Sequence, residues 1–233
     1  MSGSPWWEQA RTSLLDLVFP PHCQGCGRTG QWFCDRCIGA VSYLQPPLCV
    51  RCGLQTDNGL ECRACLRHPL PTALNGLRAV AHYDGELRHA IHVLKYERVS
   101  ALADPLGRLL STYLTQHPLP FDLIVPVPLH PERRDDRGYN QAELLAKVIA
   151  RQCGVSLNTS ALVRKLNTTP QVGLNETERR RNVQDAFQCK QRLDGQRVLV
   201  VDDVCTTGAT LSECATALHA GGAASIWGLT LAR

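Results

Sequence analysis

No run of apolar residues in this 233-residue sequence approaches the roughly 18 that a membrane-spanning helix needs, so we predict no transmembrane segment. The sequence also lacks an N-terminal basic stretch followed by an apolar one, the pattern of a secretory signal, and we therefore expect a cytoplasmic protein. No P-loop of the form G-x4-G-K-S/T occurs, which excludes the P-loop nucleotide-binding class. Strong charge is missing too, because 25 basic and 21 acidic residues leave a formal net charge of only +4. That value is too small to diagnose a nucleic-acid binder.

Cysteine, by contrast, is abundant. Eight of the twelve cysteines lie between residues 23 and 65, all in C-x2-C pairs, which is the spacing of metal ligands. Disulfides are not expected in a reducing cytosol, so metal ligation is the better interpretation. We predict one or two closed, structural zinc sites with four thiolates each, the first set being Cys23, Cys26, Cys34 and Cys37 and the second Cys49, Cys52, Cys62 and Cys65. A cross-braced pairing of the C-x2-C units and an iron–sulfur cluster are alternatives that the spacing leaves open.

The composition and the apolar pattern of the sequence change twice along the chain. Apolar residues at helical spacing predict a helix over residues 1–19, ending before Pro20 and Pro21. Residues 20–69 are rich in cysteine, glycine and proline and contain no long apolar run, so a folded module there depends on its metal ligands. Residues 70–233 alternate between apolar strands and amphipathic helices, which predicts an α/β domain.

Within residues 70–233, the run from Val198 to Val201 is the clearest strand, because four consecutive apolar residues are typical of a central parallel strand covered on both faces. Further strands are predicted over residues 77–83, 123–127 and 226–231. Apolar residues at helical spacing predict helices around residues 87–94, 102–113, 144–149 and 211–218. This alternation predicts a parallel sheet with helices on both faces.

Two adjacent carboxylates, Asp202 and Asp203, follow the run ending at Val201 and precede a threonine- and glycine-rich loop. Ligands of open α/β sheets bind beyond the carboxyl ends of strands, and the start of a helix attracts phosphate. Carboxylates suit a pair of vicinal hydroxyls. The pattern therefore indicates a ribose 5-phosphate, with the phosphate held by Thr206, Thr207, Gly208, Ala209 and Thr210. The alternative is a pair of solvated acids beside an ordinary helix N-cap at Thr206 or Thr207.

This stretch resembles the signature of phosphoribosyltransferases, and the chain as a whole is similar to the ComF family of competence and DNA-utilisation (GntX-like) proteins. The similarity covers nearly the full length, with its motifs in one order. The motifs that carry it are the double cysteine ribbon, Leu94-Lys95-Tyr96, Val125-Pro126-Val127-Pro128-Leu129-His130, Arg137-Gly138-Tyr139-Asn140-Gln141, Thr169-Pro170-Gln171, Arg179-Arg180 with Asn182, and Asp202-Asp203-Val204-Cys205-Thr206-Thr207-Gly208-Ala209-Thr210.

The resemblance implies a type I phosphoribosyltransferase-like parallel sheet preceded by a small Cys-rich zinc-ribbon module. It implies that Asp202 and Asp203 hold the ribose hydroxyls of phosphoribosyl pyrophosphate, which binds with Mg²⁺, and that residues 206–210 cradle its 5-phosphate. Candidates for the pyrophosphate are Lys95, Arg133, Arg134 and Arg137, each of the arginines having a solvated surface charge as its alternative role.

The resemblance also implies partners: single-stranded DNA and DNA-uptake proteins. Residues 171–182, which include three consecutive arginines, are a candidate lid or nucleic-acid contact, with a polar helix face as the alternative. The reaction expected of the family's fold is displacement of pyrophosphate at the anomeric carbon of the ribose. No part of the sequence resembles a known purine or pyrimidine reader, so the accepting nucleophile is not identified.

Overall fold

The computed structural model describes residues 20–165 and 185–233. The predicted helix over residues 1–19 and the candidate lid over residues 171–182 lie outside the described residues, as does the Thr169-Pro170-Gln171 motif. Across the two described ranges, no helix has both the length and the apolar character that crossing a bilayer requires.

The central sheet contains five parallel strands. In chain order the strands of the described residues are β1 (Gly76–Ala81), β2 (Leu123–Pro126), β3 (Ser156–Leu157), β4 (Leu162–Arg164), β5 (Phe187–Cys189), β6 (Arg197–Val204) and β7 (Ser225–Ala232). The order across the central sheet is β1-β7-β6-β2-β3, while β4 and β5 form a separate antiparallel pair. The four predicted strands are confirmed, although β6 extends through residue 204 rather than ending at residue 201.

Helices cover both faces of this sheet, as predicted. The α-helices of the described residues are α1 (Asp35–Gly39) and α2 (Arg63–Arg67), which lie in the cysteine ribbons, and α3 (Gly85–Tyr96), α4 (Ala103–Gln116), α5 (Pro131–Arg137), α6 (Gln141–Cys153) and α7 (Ala209–Ala220). On one face, Leu94 of α3, Leu110 of α4 and Leu145 of α6 share a buried core. On the other, Leu211 and Leu218 of α7 belong to a second core. The α/β fold class is therefore confirmed.

The antiparallel pair β4 and β5 was not predicted. Each strand has three residues, which is too short for an alternating pattern to show in the sequence. Leu162 and Phe187 are buried in the same core as α7. The pair therefore sits on the α7 side of the sheet.

The segment between the two cysteine ribbons covers the open edge of the central sheet at β1. The Leu44 N–H donates to the Val80 carbonyl at 3.0 Å, and Tyr43 forms an antiparallel bridge with Ala81. An uncovered edge strand presents a row of unpaired backbone N–H and C=O groups. Residues 42–44 satisfy part of that row, so the linker acts as a short additional strand.

The second ribbon also binds to β1 through backbone groups. The Leu77 N–H donates to the Arg51 carbonyl at 2.8 Å, and Arg78 Nη2 donates to the Val50 carbonyl at 3.1 Å. Gly53 has φ +71°, and a Cβ there would lie 2.7 Å from the Leu77 carbonyl oxygen. A glycine is therefore required where the ribbon meets the strand.

Candidate functional site

Strand β6 carries both acidic residues of the predicted site inside the strand rather than after it. Successive side chains of a strand face opposite sides, and Val200 and Val201 already belong to the cores on the two faces. Asp202 lines the cleft at the start of α7, whereas Asp203 pairs with a residue of α3. The two carboxylates therefore have different surroundings.

Asp203 is only 2% exposed, and its Oδ1 lies 2.8 Å from Nζ of Lys95 on α3. Burial by itself lowers the pKa of Lys95, but the charge of Asp203 and a hydrogen bond to it raise the pKa above its ordinary value. Within the part of the chain that the structure describes, the buried Oδ2 of Asp203 has no hydrogen-bond partner. The ion pair with Lys95 therefore engages one oxygen of this buried carboxylate and, among the described residues, leaves the other unpaired.

The pKa of Asp202 is raised by its surroundings. Its Oδ1 accepts a hydrogen bond from the Asp203 N–H at 2.8 Å. Burial and the neighbouring charge of Asp203 raise the pKa of Asp202 to about 7, against the opposing effect of Lys95. A carboxyl with this pKa changes between acid and carboxylate near neutral pH, so its capacity to accept ligand hydrogen bonds depends on pH.

The loop after β6 forms the other wall of the cleft, which is lined by Asp202, Val204, Cys205 and residues 206–211. Gly208 has φ +82° and is the N-cap of the 12-residue helix α7. The Thr207 hydroxyl accepts a hydrogen bond from the Ala209 N–H at 3.4 Å. The alternative of two solvated acids beside a threonine N-cap is wrong, because Asp203 is buried and the cap is glycine. Helix N–H groups and threonine hydroxyls together suit a phosphate.

The basic segment expected near pyrophosphate forms α5 and the turn after it. Arg134 Nη2 lies 3.2 Å from a carboxylate oxygen of Glu143. Arg137 donates a hydrogen bond to the Gln141 side chain, and its Cζ lies 5.3 Å from the centroid of the Tyr96 ring. Arg134 therefore pairs with Glu143 while its side chain stays 56% exposed, and Arg137 reaches the residue next to Lys95.

The eight clustered cysteines form two separate groups of four, in the two sets predicted. Within each group the sulfur atoms lie within 4.8 Å of one another. The Sγ atoms of Cys23 and Cys37 are 3.6 Å apart, and those of Cys49 and Cys65 are 3.8 Å apart. Tetrahedral Zn–S bonds of about 2.3 Å place sulfurs about 3.8 Å from one another. Each group therefore fits one tetrahedral ion, and the cross-braced alternative is wrong.

One thiol in each group is stabilised as a thiolate. Burial by itself raises the pKa of Cys23, but backbone N–H groups, with that of Cys34 first, lower it to about 6. Cys49 has the same arrangement, in which the N–H of Cys52 is the leading donor, and its pKa is also about 6. Metals bind the thiolate form, which these hydrogen bonds favour at Cys23 and Cys49.

Two known domain families match the two parts of this architecture. Residues 14–66 match the double zinc ribbon domain family, and residues 139–233 match the phosphoribosyl transferase domain family. DNA utilization protein YhgH of Escherichia coli (strain K12) is 36% identical over 221 residues, covering 90% of this chain and 96% of that protein. Competence protein F of Haemophilus influenzae is 32% identical, covering 91% of this chain and 96% of that protein. The chain belongs to the ComF family.

A further relative of this ComF-family chain is competence protein ComFC of Bacillus subtilis (strain 168), with 30% identity over 86% of this chain and 83% of that protein. Similar solved structures include the allosteric regulatory enzyme of purine biosynthesis, with 16% identity over 56% of this chain and 26% of that chain and a TM-score of 0.39. Glutamine phosphoribosylpyrophosphate amidotransferase from B. subtilis has 17% identity over the same shares and a TM-score of 0.40.

Arg164 is a half-buried arginine that the sequence analysis did not single out. It ends β4, and its Cζ lies 5.4 Å from the centroid of the Phe187 ring. Burial and the charge of Arg133 lower the pKa of Arg164, while Asp202 acts in the opposite direction. The charges of Arg133 and Asp202 therefore both affect the pKa of Arg164. Its short strand carries no periodicity, so the single sequence offers no signal for it.

Proposed function

We propose that this ComF-family protein binds phosphoribosyl pyrophosphate, or a closely related ribose 5-phosphate ester, together with Mg²⁺. The observation that carries the proposal is that Asp202 and the loop of residues 206–210 line one cleft. The loop offers N–H and hydroxyl donors to the 5-phosphate. Asp202 offers an acceptor to the ribose hydroxyls, while Asp203 is held by its ion pair with Lys95.

The pairing of Lys95 with Asp203 supports separate roles for the two carboxylates in this proposal. Mg²⁺ in proteins is commonly held by one or two carboxylates plus the phosphates of its ligand. Asp202 is the carboxylate suited to that role, because Lys95 already balances the charge of Asp203. Lys95 is then a partner of the acidic pair rather than a pyrophosphate contact, and Arg133, Arg134 and Arg137 are the proposed basic contacts.

The reaction that we propose for such a complex is attack of a nucleophile on the anomeric carbon while the carbon–oxygen bond to pyrophosphate breaks. Mg²⁺, when bound, stabilises the negative charge of the departing pyrophosphate. The chain would contribute a fixed orientation of the sugar between Asp202 and the phosphate loop, and orientation of this kind lowers the barrier. Release of pyrophosphate in the presence of candidate acceptors, single-stranded DNA among them, measures this step.

Titration calorimetry of phosphoribosyl pyrophosphate with Mg²⁺ tests the binding proposal. We expect Asp202→Asn to weaken binding by about tenfold or more, because a charged acceptor is lost. Asp57→Asn, an exposed aspartate in the second ribbon, is the matched control and should bind like the unmodified protein. The proposal is contradicted if the unmodified protein does not bind. It is also contradicted if a double variant, carrying both Asp202→Asn and Asp203→Asn, binds as tightly as the control.

A second proposed function is handling of single-stranded DNA in the cytoplasm, together with DNA-uptake proteins. The names of the relatives, which refer to DNA utilization and competence, support it. So does Tyr96, whose side chain is 59% exposed beside Arg137. A nucleic-acid base stacks on an exposed aromatic ring, and the arginines of α5 supply contacts for the phosphates.

Fluorescence anisotropy with a labelled oligothymidylate tests this second function. Tyr96→Ala should weaken binding by about fivefold or more, because base stacking is lost. Tyr83→Ala is the matched control, since Tyr83 is 36% exposed and has Arg88 at 5.9 Å from its ring centroid. Affinity should also fall steeply with salt. Equal effects of the two substitutions, or a flat salt response, contradict this function.

A further inference from the structure

The second cysteine ribbon lies directly behind the phosphate loop. Leu70, which follows this ribbon, packs against its buried cysteines and also against the core that contains Cys205 and Ala209 of the loop region. A Cβ atom at Gly208 would lie 3.6 Å from Leu70 Cδ2, which is van der Waals distance. One side chain therefore bridges the metal-binding group and the phosphate loop.

The end of β7 makes a second connection between the same two parts. Arg233 Nη1 donates to the Cys52 carbonyl at 2.7 Å. One residue earlier, the Ala232 carbonyl accepts a hydrogen bond from the Cys205 N–H at 2.9 Å. The second ribbon is thus connected to the phosphate loop both through Leu70 packing and through hydrogen bonds of the adjacent residues Ala232 and Arg233.

The first ribbon has different neighbours. Its buried residues Cys23, Phe33 and Cys37 belong to the core on the α3 face. Across residues 20–165 and 185–233, that core includes none of the loop residues 205–210. The two ribbons have the same ligand set, but one of them is packed against the phosphate loop and the other is not.

We propose that the second ribbon holds the phosphate loop in its anion-binding shape, so that the ion in this ribbon and a phosphate ester at the loop strengthen each other's binding. Ligation of the ion folds the ribbon, and the folded ribbon positions Leu70 and Cys52 against the loop. Coupling of this kind is reciprocal between the two ligands. The inference rests on the proposed ribose-phosphate site, and it makes the ion of the second ribbon a regulator of binding at that site.

Paired leucine substitutions test the packing link without touching a metal ligand. Leu54 packs against the same buried cysteines as Leu70, but it does not belong to the core that contains the loop residues. In the full-length protein with both ions bound, Leu70→Ala should lower affinity for ribose 5-phosphate by about fivefold or more. Leu54→Ala should change it by less than about twofold. Equal effects of the two substitutions, at equal zinc content, overturn the inference.

Reciprocity is tested with proteins that retain one ion each. Cys34 and Cys62 are matched ligands, since each is half-buried and is the N-cap of its ribbon's short helix. Cys34→Ser leaves the ion of the second ribbon, and ribose 5-phosphate should then slow its removal by a chelator. Cys62→Ser leaves the ion of the first ribbon, and its removal should be unaffected even at a ribose 5-phosphate concentration that saturates this variant.

Equal protection of the two ions overturns the coupling while leaving the proposed function intact. Absence of ribose 5-phosphate binding by the unmodified protein overturns both. If either cysteine variant fails to fold, the leucine pair decides the question.

Discussion

Lys95 and Asp203 form a buried ion pair, with Nζ and Oδ1 2.8 Å apart, although 108 residues separate them in the sequence. The carboxyl group of Asp203 thus differs in its surroundings from that of Asp202, which borders the cleft and has a pKa of about 7. Adjacent residues of one motif thus have one charge-balanced carboxylate and one that titrates. The fold imposes this division, because β6 turns the two side chains to opposite faces.

Removing the ammonium of Lys95 should destabilise the protein, since Asp203 would be left buried without its cation. We expect Lys95→Met to lower the free energy of unfolding by about 3–5 kcal/mol, and Lys95→Arg to restore part of it. Urea denaturation of the zinc-loaded protein measures this. Lys147→Met is the control, because Lys147 pairs with Glu143 at 2.7 Å but is 54% exposed, and it should cost less than about 1 kcal/mol. Similar decreases in the free energy of unfolding of the two variants would show that the buried pair of Lys95 and Asp203 stabilises the protein no more than an exposed pair does.

Binding of the proposed ligand should depend on pH through Asp202. The carboxylate is the form that accepts hydroxyls and holds a cation, so affinity should rise from about pH 6 to 8, as the group with a pKa of about 7 ionises. Binding should also release protons, which calorimetry in buffers of different ionisation enthalpy detects. Asp202→Asn should remove the part of the pH dependence that exceeds the ligand's own phosphate ionisation. A pH profile identical in the variant contradicts this assignment.

The same pKa has the opposite consequence for the stability of the ligand-free protein. The ordinary pKa of an aspartate in an unfolded chain is about 3.9, so between about pH 4 and 7 the folded protein binds the Asp202 proton more tightly than the unfolded chain does. The contribution of Asp202 to stability is therefore fully present below about pH 4 and is lost as the pH rises through 7. Comparison of urea unfolding of the unmodified protein and Asp202→Asn across this range isolates the effect. A pH-independent difference between the two proteins rejects it.

Much of the sheet could be predicted because its strands are apolar on both faces. The run Val198 to Val201 identifies β6 from composition alone, but its continuation through Asp202 and Asp203 breaks the apolar pattern and was missed. The contact of Asp203 with Lys95 could not be predicted, since it depends on how α3 lies against β6. Arg164 was missed for a different reason: a three-residue strand has no period to detect.

The metal groups were predictable to a greater degree, because the C-x2-C spacing places two ligands on one turn. Spacing does not decide which pairs share an ion. That choice depends on the position of Cys34 and Cys62 at the starts of α1 and α2, which brings each second pair back to the first.

Metal analysis should find two zinc ions per chain. Cys34→Ser and Cys62→Ser should each lose one ion, because the two sulfur groups are separate. Chelation of both ions should lower the thermal midpoint, since the ribbons depend on ligand bonds for their fold. Mass spectrometry of the purified protein counts the ions. Bound iron, or loss of both ions from either variant, would contradict this prediction.

Helix packing gives a prediction independent of any ligand. A Cβ at Gly107 of α4 would lie 2.6 Å from Val148 Cβ on α6. Gly107→Ala should therefore lower the free energy of unfolding by about 1–3 kcal/mol, even though alanine favours helices. Gly39→Ala at the end of α1 is the control, because among residues 20–165 and 185–233 no heavy atom of another part of the chain lies within 4 Å of its Cβ position. Thermal unfolding that ranks the two variants equally would show that α4 and α6 can separate without cost.

The short strand of residues 42–44 changes what the two halves of this chain can be on their own. A fragment starting at residue 70 would have no Leu44 N–H to meet the Val80 carbonyl, and β1 would offer that free edge to any neighbouring molecule. We expect such a fragment to self-associate during expression. The visible change of composition near residue 70 therefore does not mark a place where the protein can be divided, since the sheet is finished by residues that lie before it.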